Sequence, residues 1–156
     1  MTIDLKVGDP APDFDMPGDN GPVSLKAFRG RAVALYFYPK DDTTGCTAEA
    51  LDFTAKADDF GDADTVVIGV SKDTTAKHGK FRAKYDLSLK LGSDKDGDVI
   101  ERYGVWVEKN MYGRKYMGIE RATFLIDKKG VIRKIWRKVK VTGHAGEVLD
   151  AARALS

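Results

Sequence analysis

Tyr36-Phe37-Tyr38-Pro39-Lys40-Asp41-Asp42-Thr43-Thr44-Gly45-Cys46-Thr47-Ala48-Glu49-Ala50 decides the fold, because it joins a buried strand to a helix and carries the only cysteine of the chain at the junction. Arg31 to Tyr38 is rich in Val, Leu and aromatics, the pattern of a strand covered on both faces. Pro39 stops it. Asp41, Asp42, Thr43 and Thr44 offer capping oxygens, and from Thr47 onward Ala48, Glu49, Ala50, Leu51, Phe53, Ala55 and Lys56 suit a helix. Cys46 then falls in the first helical turn, where backbone amides lack intrahelical acceptors and the helix dipole favours an anion. A thiolate is such an anion, and it is the nucleophilic form of cysteine. Position alone leaves two readings open: a reactive thiolate, or a small buried apolar residue.

Outward from this stretch the chain alternates strands and helices. Val7 to Gly30 is punctuated by Pro and Gly, with Asn20-Gly21 as a turn between Phe14-Asp15-Met16 and Val23-Ser24-Leu25, and with Ser24 capping a short helical turn closed by Gly30. Asp58 to Asp64 reads as an acidic loop. Thr65 to Val70 is a second buried strand, Thr74 caps the next helix, and that helix ends before Leu87. A loop from Ser93 to Asp98 leads into a short helix at 99–103. Gly104 to Gly118 reads as irregular, its Trp106, Met111, Tyr112 and Met117 more consistent with packing than with function. Arg121 to Asp127 and Val131 to Val139 flank the hairpin turn Asp127-Lys128-Lys129-Gly130, and a last helix runs from about His144 to Leu155 with Val148, Leu149 and Ala152 on one side. Parallel β-α units followed by a hairpin and a terminal helix make an α/β sandwich.

Composition narrows the function. The sequence has 156 residues, the size of one domain spanning 1–156, with 42% hydrophobic and 32% charged residues. A formal net charge of +2 supplies no strong field toward nucleic acid or an anionic membrane. The basic residues from Lys128 to Lys140 fit an exposed strand whose charges block edge pairing. A single cysteine excludes an internal disulfide framework, and His78 and His144 lack metal-ligand spacing, so no cofactor or metal is expected. Met1 to Lys6 lacks the apolar core of a signal peptide, and no segment approaches the roughly twenty apolar residues of a membrane span. A cytoplasmic location is expected, where thiols stay reduced.

The spacing Pro39-x-x-x-Thr43-x-x-Cys46 resembles the signature of the peroxiredoxins, the cysteine-based peroxidases, and the string FYPKDDTTGCTAEA is similar to their bacterioferritin-comigratory, or PrxQ-type, subgroup. The resemblance continues in order through Ala11-Pro12-Asp13-Phe14, Gly69-Val70-Ser71-Lys72-Asp73, Tyr103-Gly104-Val105-Trp106, Met111-Tyr112-Gly113 and Gly118 to Asp127. It implies a thioredoxin-like fold, with a central mixed sheet, helices on both faces and an N-terminal extension, in a monomer or small homodimer.

It also implies a site. Cys46 would be the nucleophile, Thr43 would present its hydroxyl to sulfur or peroxide oxygen, and Arg121, opening Arg-x-Thr-Phe-Leu-Ile-Asp, would be the active-site arginine. Glu49 lies three residues after Cys46 on the same helical face. Beside a thiolate a free carboxylate would be repelled, so Glu49 needs a partner, and Arg121 is the natural one. Pro39 would shield the sulfur and Gly45 would permit close approach of the backbone. Many relatives carry a second, resolving cysteine five residues after the first or in the helix after the next strand. Here Leu51 and Phe81-Arg82-Ala83 occupy those places. The expected chemistry is reduction of hydrogen peroxide and organic hydroperoxides through a Cys46 sulfenic acid, resolved by an external thiol: thioredoxin, glutaredoxin or a low-molecular-weight thiol. The alternatives are a redox sensor and a thioredoxin-like binding module without turnover.

Overall fold

The computed structural model describes residues 4–155, so Met1, Thr2 and Ile3 of the polar N-terminal stretch and Ser156 lie outside the described residues. Its centre is β3 (Ala32–Phe37), buried at all six positions. β3 pairs in parallel with β4 (Thr65–Ser71) and antiparallel with β8 (Ala122–Ile126). β5 (Lys90–Ser93) extends the parallel side and β9 (Ile132–Trp136) the antiparallel side, giving the order β5-β4-β3-β8-β9. Ser93, read as loop, thus ends a strand.

Because successive strand residues face opposite ways, β3 feeds two cores. Val33, Leu35 and Phe37 pack with Val99, Ile100 and Tyr103 of α4 (Val99–Arg102) and its C-cap, and with the N-terminal hairpin of β1 (Asp15–Met16) and β2 (Val23–Ser24). Ala34, Tyr36 and Tyr38 join the other core with Phe53 of α1 (Thr44–Ala55), Phe60 of α2 (Ala57–Asp62), Phe81 of α3 (Thr75–Tyr85) and Val148 of α5 (His144–Leu155). The Tyr36 and Phe53 rings stack at 4.7 Å. Each such fully buried side chain contributes about 1.5–3 kcal/mol of transfer free energy. No helix of the described residues is long and apolar enough to cross a membrane.

Two expectations fail. The acidic loop is helical: Lys56, at φ −106° and ψ 13°, interrupts α1, and α2 restarts with Asp58 and Asp59 in its first turn, where the dipole favours them, and Phe60 anchored in the core. The irregular stretch is a second hairpin, β6 (Trp106–Met111) with β7 (Arg114–Ile119), closed by Tyr112 and Gly113 at φ 53° and 80°. Positive φ at both central residues is the type I′ requirement, normally signalled by Asn-Gly. Of the stripe expected to pack, Trp106 does so, against the core beside Val105 and Ile119, while Met111, Tyr112 and Met117 are exposed, as is Tyr116.

Candidate active site

The end of β3 delivers the chain into a tight reversal at Asp42, whose φ is 62°, and Thr43 then stands as N-cap of α1 in extended conformation. Thr43 caps with its backbone alone; its hydroxyl donates to the Lys40 carbonyl at 2.8 Å. Asp41 and Asp42 do not cap either. With no side-chain cap and no acidic residue in the first turn, the field of the helix terminus is left for Cys46, the third residue of α1. Cys46 is a free thiol, 1% exposed, in the core cluster with Tyr36, Ala50 and Phe53. Pro39 is exposed.

Arg121, in the short link between β7 and β8, reaches back to this turn. Its Nη2 donates to Cys46 Sγ at 3.4 Å and its Nη1 to Glu49 Oε1 at 2.7 Å. The structure therefore brings Cys46, Arg121 and Glu49 together through one guanidinium. Gly45 leaves room for the approach: a Cβ there would lie 3.2 Å from Arg121 Nη2, and the guanidinium would have to give by a few tenths of an ångström.

Glu49 is 1% exposed, and its burial pushes its carboxyl up to about 7 against the opposing pull of Arg121. Its Oε2 has no hydrogen-bond partner. The Tyr36 hydroxyl, equally buried and unpartnered, is held neutral by burial and by the neighbouring charge of Glu49 and Cys46. Tyr36 has room because Gly69 faces it on β4, where a Cβ would come within 2.8 Å of the ring.

Two features escape a reading of the sequence. The first is a buried charge network under the Pro39–Thr43 turn. Asp41 accepts from the Tyr38 hydroxyl at 2.5 Å and lies 2.6 Å from His78 Nδ1, while its backbone amide donates to Asp73 at 2.8 Å. His78 Nε2 lies 2.9 Å from the Gly92 carbonyl. Both ring nitrogens thus face acceptors, which suits an imidazolium. Burial works against that charge, but the hydrogen bond and charge of Asp41 outweigh it and raise the His78 pKa. The available signal was the spacing of His78 and Phe81, which places both on the inner side of α3. The second is Lys109 on β6, half-buried among exposed neighbours and within electrostatic reach of both Arg121 and Cys46; burial, then Arg121, lowers its pKa.

Comparisons with known proteins identify the family. The AhpC/TSA family model matches residues 7–135. The chain is 51% identical over 148 residues to a putative peroxiredoxin bcp of Coxiella burnetii, covering 94% of this chain and 98% of the relative. It is 47% identical over 157 residues to peroxiredoxin Bcp of Bacillus subtilis, covering 100% and 99%. Among solved structures it matches a cysteine-to-serine mutant of Xylella fastidiosa PrxQ with TM-score 0.90 and 35% identity, over 97% of this chain and 98% of that one. It also matches the Xanthomonas campestris bacterioferritin comigratory protein, studied for alkyl peroxide reduction, with TM-score 0.86 and 42% identity over 90% of each chain. With a thioredoxin-like sheet, a cysteine at a helix N-terminus and relatives of nearly its full length, the chain belongs to the AhpC/TSA family as a peroxiredoxin of the Bcp/PrxQ type.

Proposed function

We propose that this peroxiredoxin, acting as one domain over 1–156 in a reducing cytoplasm, reduces hydrogen peroxide and organic hydroperoxides by a one-cysteine cycle. The observation that carries the reading is the Arg121 guanidinium, which donates to Cys46 Sγ while anchored on Glu49. A Cys46 thiolate attacks one peroxide oxygen, the O–O bond breaks, and the departing oxygen takes a proton to leave as water or alcohol. Arg121 is placed to stabilise both the sulfur anion and the charge that develops on oxygen. Since the Thr43 hydroxyl gives its proton to the Lys40 carbonyl, its lone pairs remain to accept from a peroxide O–H. Cys46 ends as a sulfenic acid. With no second thiol in the chain, an external thiol must condense with it and then be displaced.

The alkyl peroxide activity of the Xanthomonas campestris relative supports the inclusion of organic hydroperoxides. The test is intact mass. Reduced protein exposed to one equivalent of peroxide gains one oxygen, a sulfenic-acid trap captures it, and Cys46→Ser shows neither. Mass unchanged in the wild-type protein refutes the cycle.

A further inference from the structure

Four of the six large hydrophobic residues exposed among the described residues stand on one element, the β6–β7 hairpin: Met111, Tyr112, Tyr116 and Met117. This hairpin is a two-stranded ribbon outside the five-stranded sheet. Its tip holds Tyr112 fully exposed at positive φ, a conformation that costs an aromatic residue energy. That cost is compensated by no burial within this chain. Residues opposite one another in the ladder share a face, so Lys109 and Tyr116 lie side by side, followed outward by Met111 and Arg114. Because β7 ends at Ile119, two residues before Arg121, the base of the hairpin lies at the active site and its strands run away from it. At about 3.4 Å per residue, its length is on the order of 20 Å, the scale of a protein contact rather than of a small thiol.

Charge restricts the occupant. The hairpin carries Lys109, Arg114 and Lys115 against Glu108. A partner presenting acidic groups around an apolar centre complements it.

We propose that the β6–β7 hairpin is the docking surface for an acidic protein dithiol that reduces oxidised Cys46. This rests on the one-cysteine cycle above. The first partner thiol condenses with the Cys46 sulfenic acid, forming a mixed disulfide and releasing water. The second partner thiol attacks the partner's own sulfur in that bond, closing a partner disulfide and returning Cys46 as thiol. The two electrons come from the partner and its protons balance the water and the thiol.

The test compares peroxide turnover driven by purified bacterial thioredoxin with turnover driven by dithiothreitol. The variants are Met111→Ser with Tyr112→Asn, and separately Arg114→Glu; Asn suits the type I′ turn, so Tyr112→Asn removes the ring without straining the hairpin. Each variant is expected to raise the KM for thioredoxin about tenfold or more, to leave kcat and the dithiothreitol rate unchanged, and to leave single-turnover oxidation of Cys46 unchanged. For the wild-type protein the KM for thioredoxin rises with salt. An unchanged thioredoxin KM in both variants overturns the docking surface while leaving the cycle intact. So does wild-type turnover with dithiothreitol but not thioredoxin, or a hairpin variant that converts a dimer to monomer without altering KM, which makes the face a contact between copies. Failure of Cys46 to oxidise in a single turnover overturns the cycle itself and the docking surface with it.

Discussion

Arg121 serves two partners at once, and its removal is expected to register in two measurements. Arg121→Ala should slow single-turnover oxidation of Cys46 by on the order of 10²-fold, the usual cost of losing one preorganised donor to a developing anion. Arg121→Lys should restore little, because a point charge cannot span Sγ at 3.4 Å and Oε1 at 2.7 Å as a planar fork does. Stopped-flow mixing with peroxide, with circular dichroism as the folding control, checks both. Glu49 gives a pH signature. A carboxyl raised from 4.5 to about 7 on folding contributes stability that is whole below 4.5 and is lost as pH climbs through about 7. Glu49→Gln cannot ionise, so its urea midpoint should gain on the wild-type midpoint between pH 5 and pH 8.5; a difference that does not change with pH would count against the assignment. The Glu49 and Arg121 pairing was legible in the sequence because an always-charged group opening an apolar strand demands a counter-charge. Asp41 was not. Its place before a helix reads as a cap, and only the folded chain shows that Tyr38, His78 and Asp73 claim it instead.

At the scale of elements, the turn between β3 and α1 is held from below by α3. Removing the imidazolium with His78→Leu strands the Asp41 carboxylate in the interior, which costs on the order of 3–5 kcal/mol when one member of a buried pair is lost. The sign with pH follows from the raised His78 value: its contribution is complete below the ordinary histidine pKa of 6.5 and fades as pH rises through the higher folded value. The gap between wild type and His78→Leu should therefore narrow in alkaline buffer when unfolding is followed by urea titration. Strands and helices with strong periodicity were readable, as were the Thr74 cap, which accepts from the Lys77 amide, and the Asp127 to Gly130 turn. The two misread stretches share a cause. In each, composition pointed to loop while one residue fixed the outcome: Phe60 buried at 1% made a helix of an acidic run, and Gly113 beside a left-handed Tyr112 made a hairpin without the usual Asn.

Across the whole molecule, the central sheet was readable because β3 and β4 are apolar on both faces, but the treatment of the sheet edges was not. The segment before β1 and the loop after it reach both sides: Gly18 bridges to Gly92 of β5, and Pro10 bridges to Val131 beside β9. Arg82 of α3 fastens that loop by forking onto Asp19 at 2.5 and 3.0 Å. Gly18 is essential to this fit, since a Cβ there would sit 2.5 Å from the Gly21 carbonyl and 2.7 Å from that of Leu91, both backbone atoms. Gly18→Ala should cost about 1–3 kcal/mol and raise hydrogen exchange in residues 8–24 ahead of the rest of the chain. Parity between the two proteins in that region would refute the role.

These edge contacts also set an order of events on the ribosome. Gly8 and Asp9 leave the exit tunnel long before Ile132, yet Gly8 donates to the Ile132 carbonyl and Ile132 donates to that of Asp9. Loop closure over so long a separation makes this docking late, and a nascent chain stalled before Ile132 will keep its leading segment open to protease while the β3 and β4 units are already able to pair.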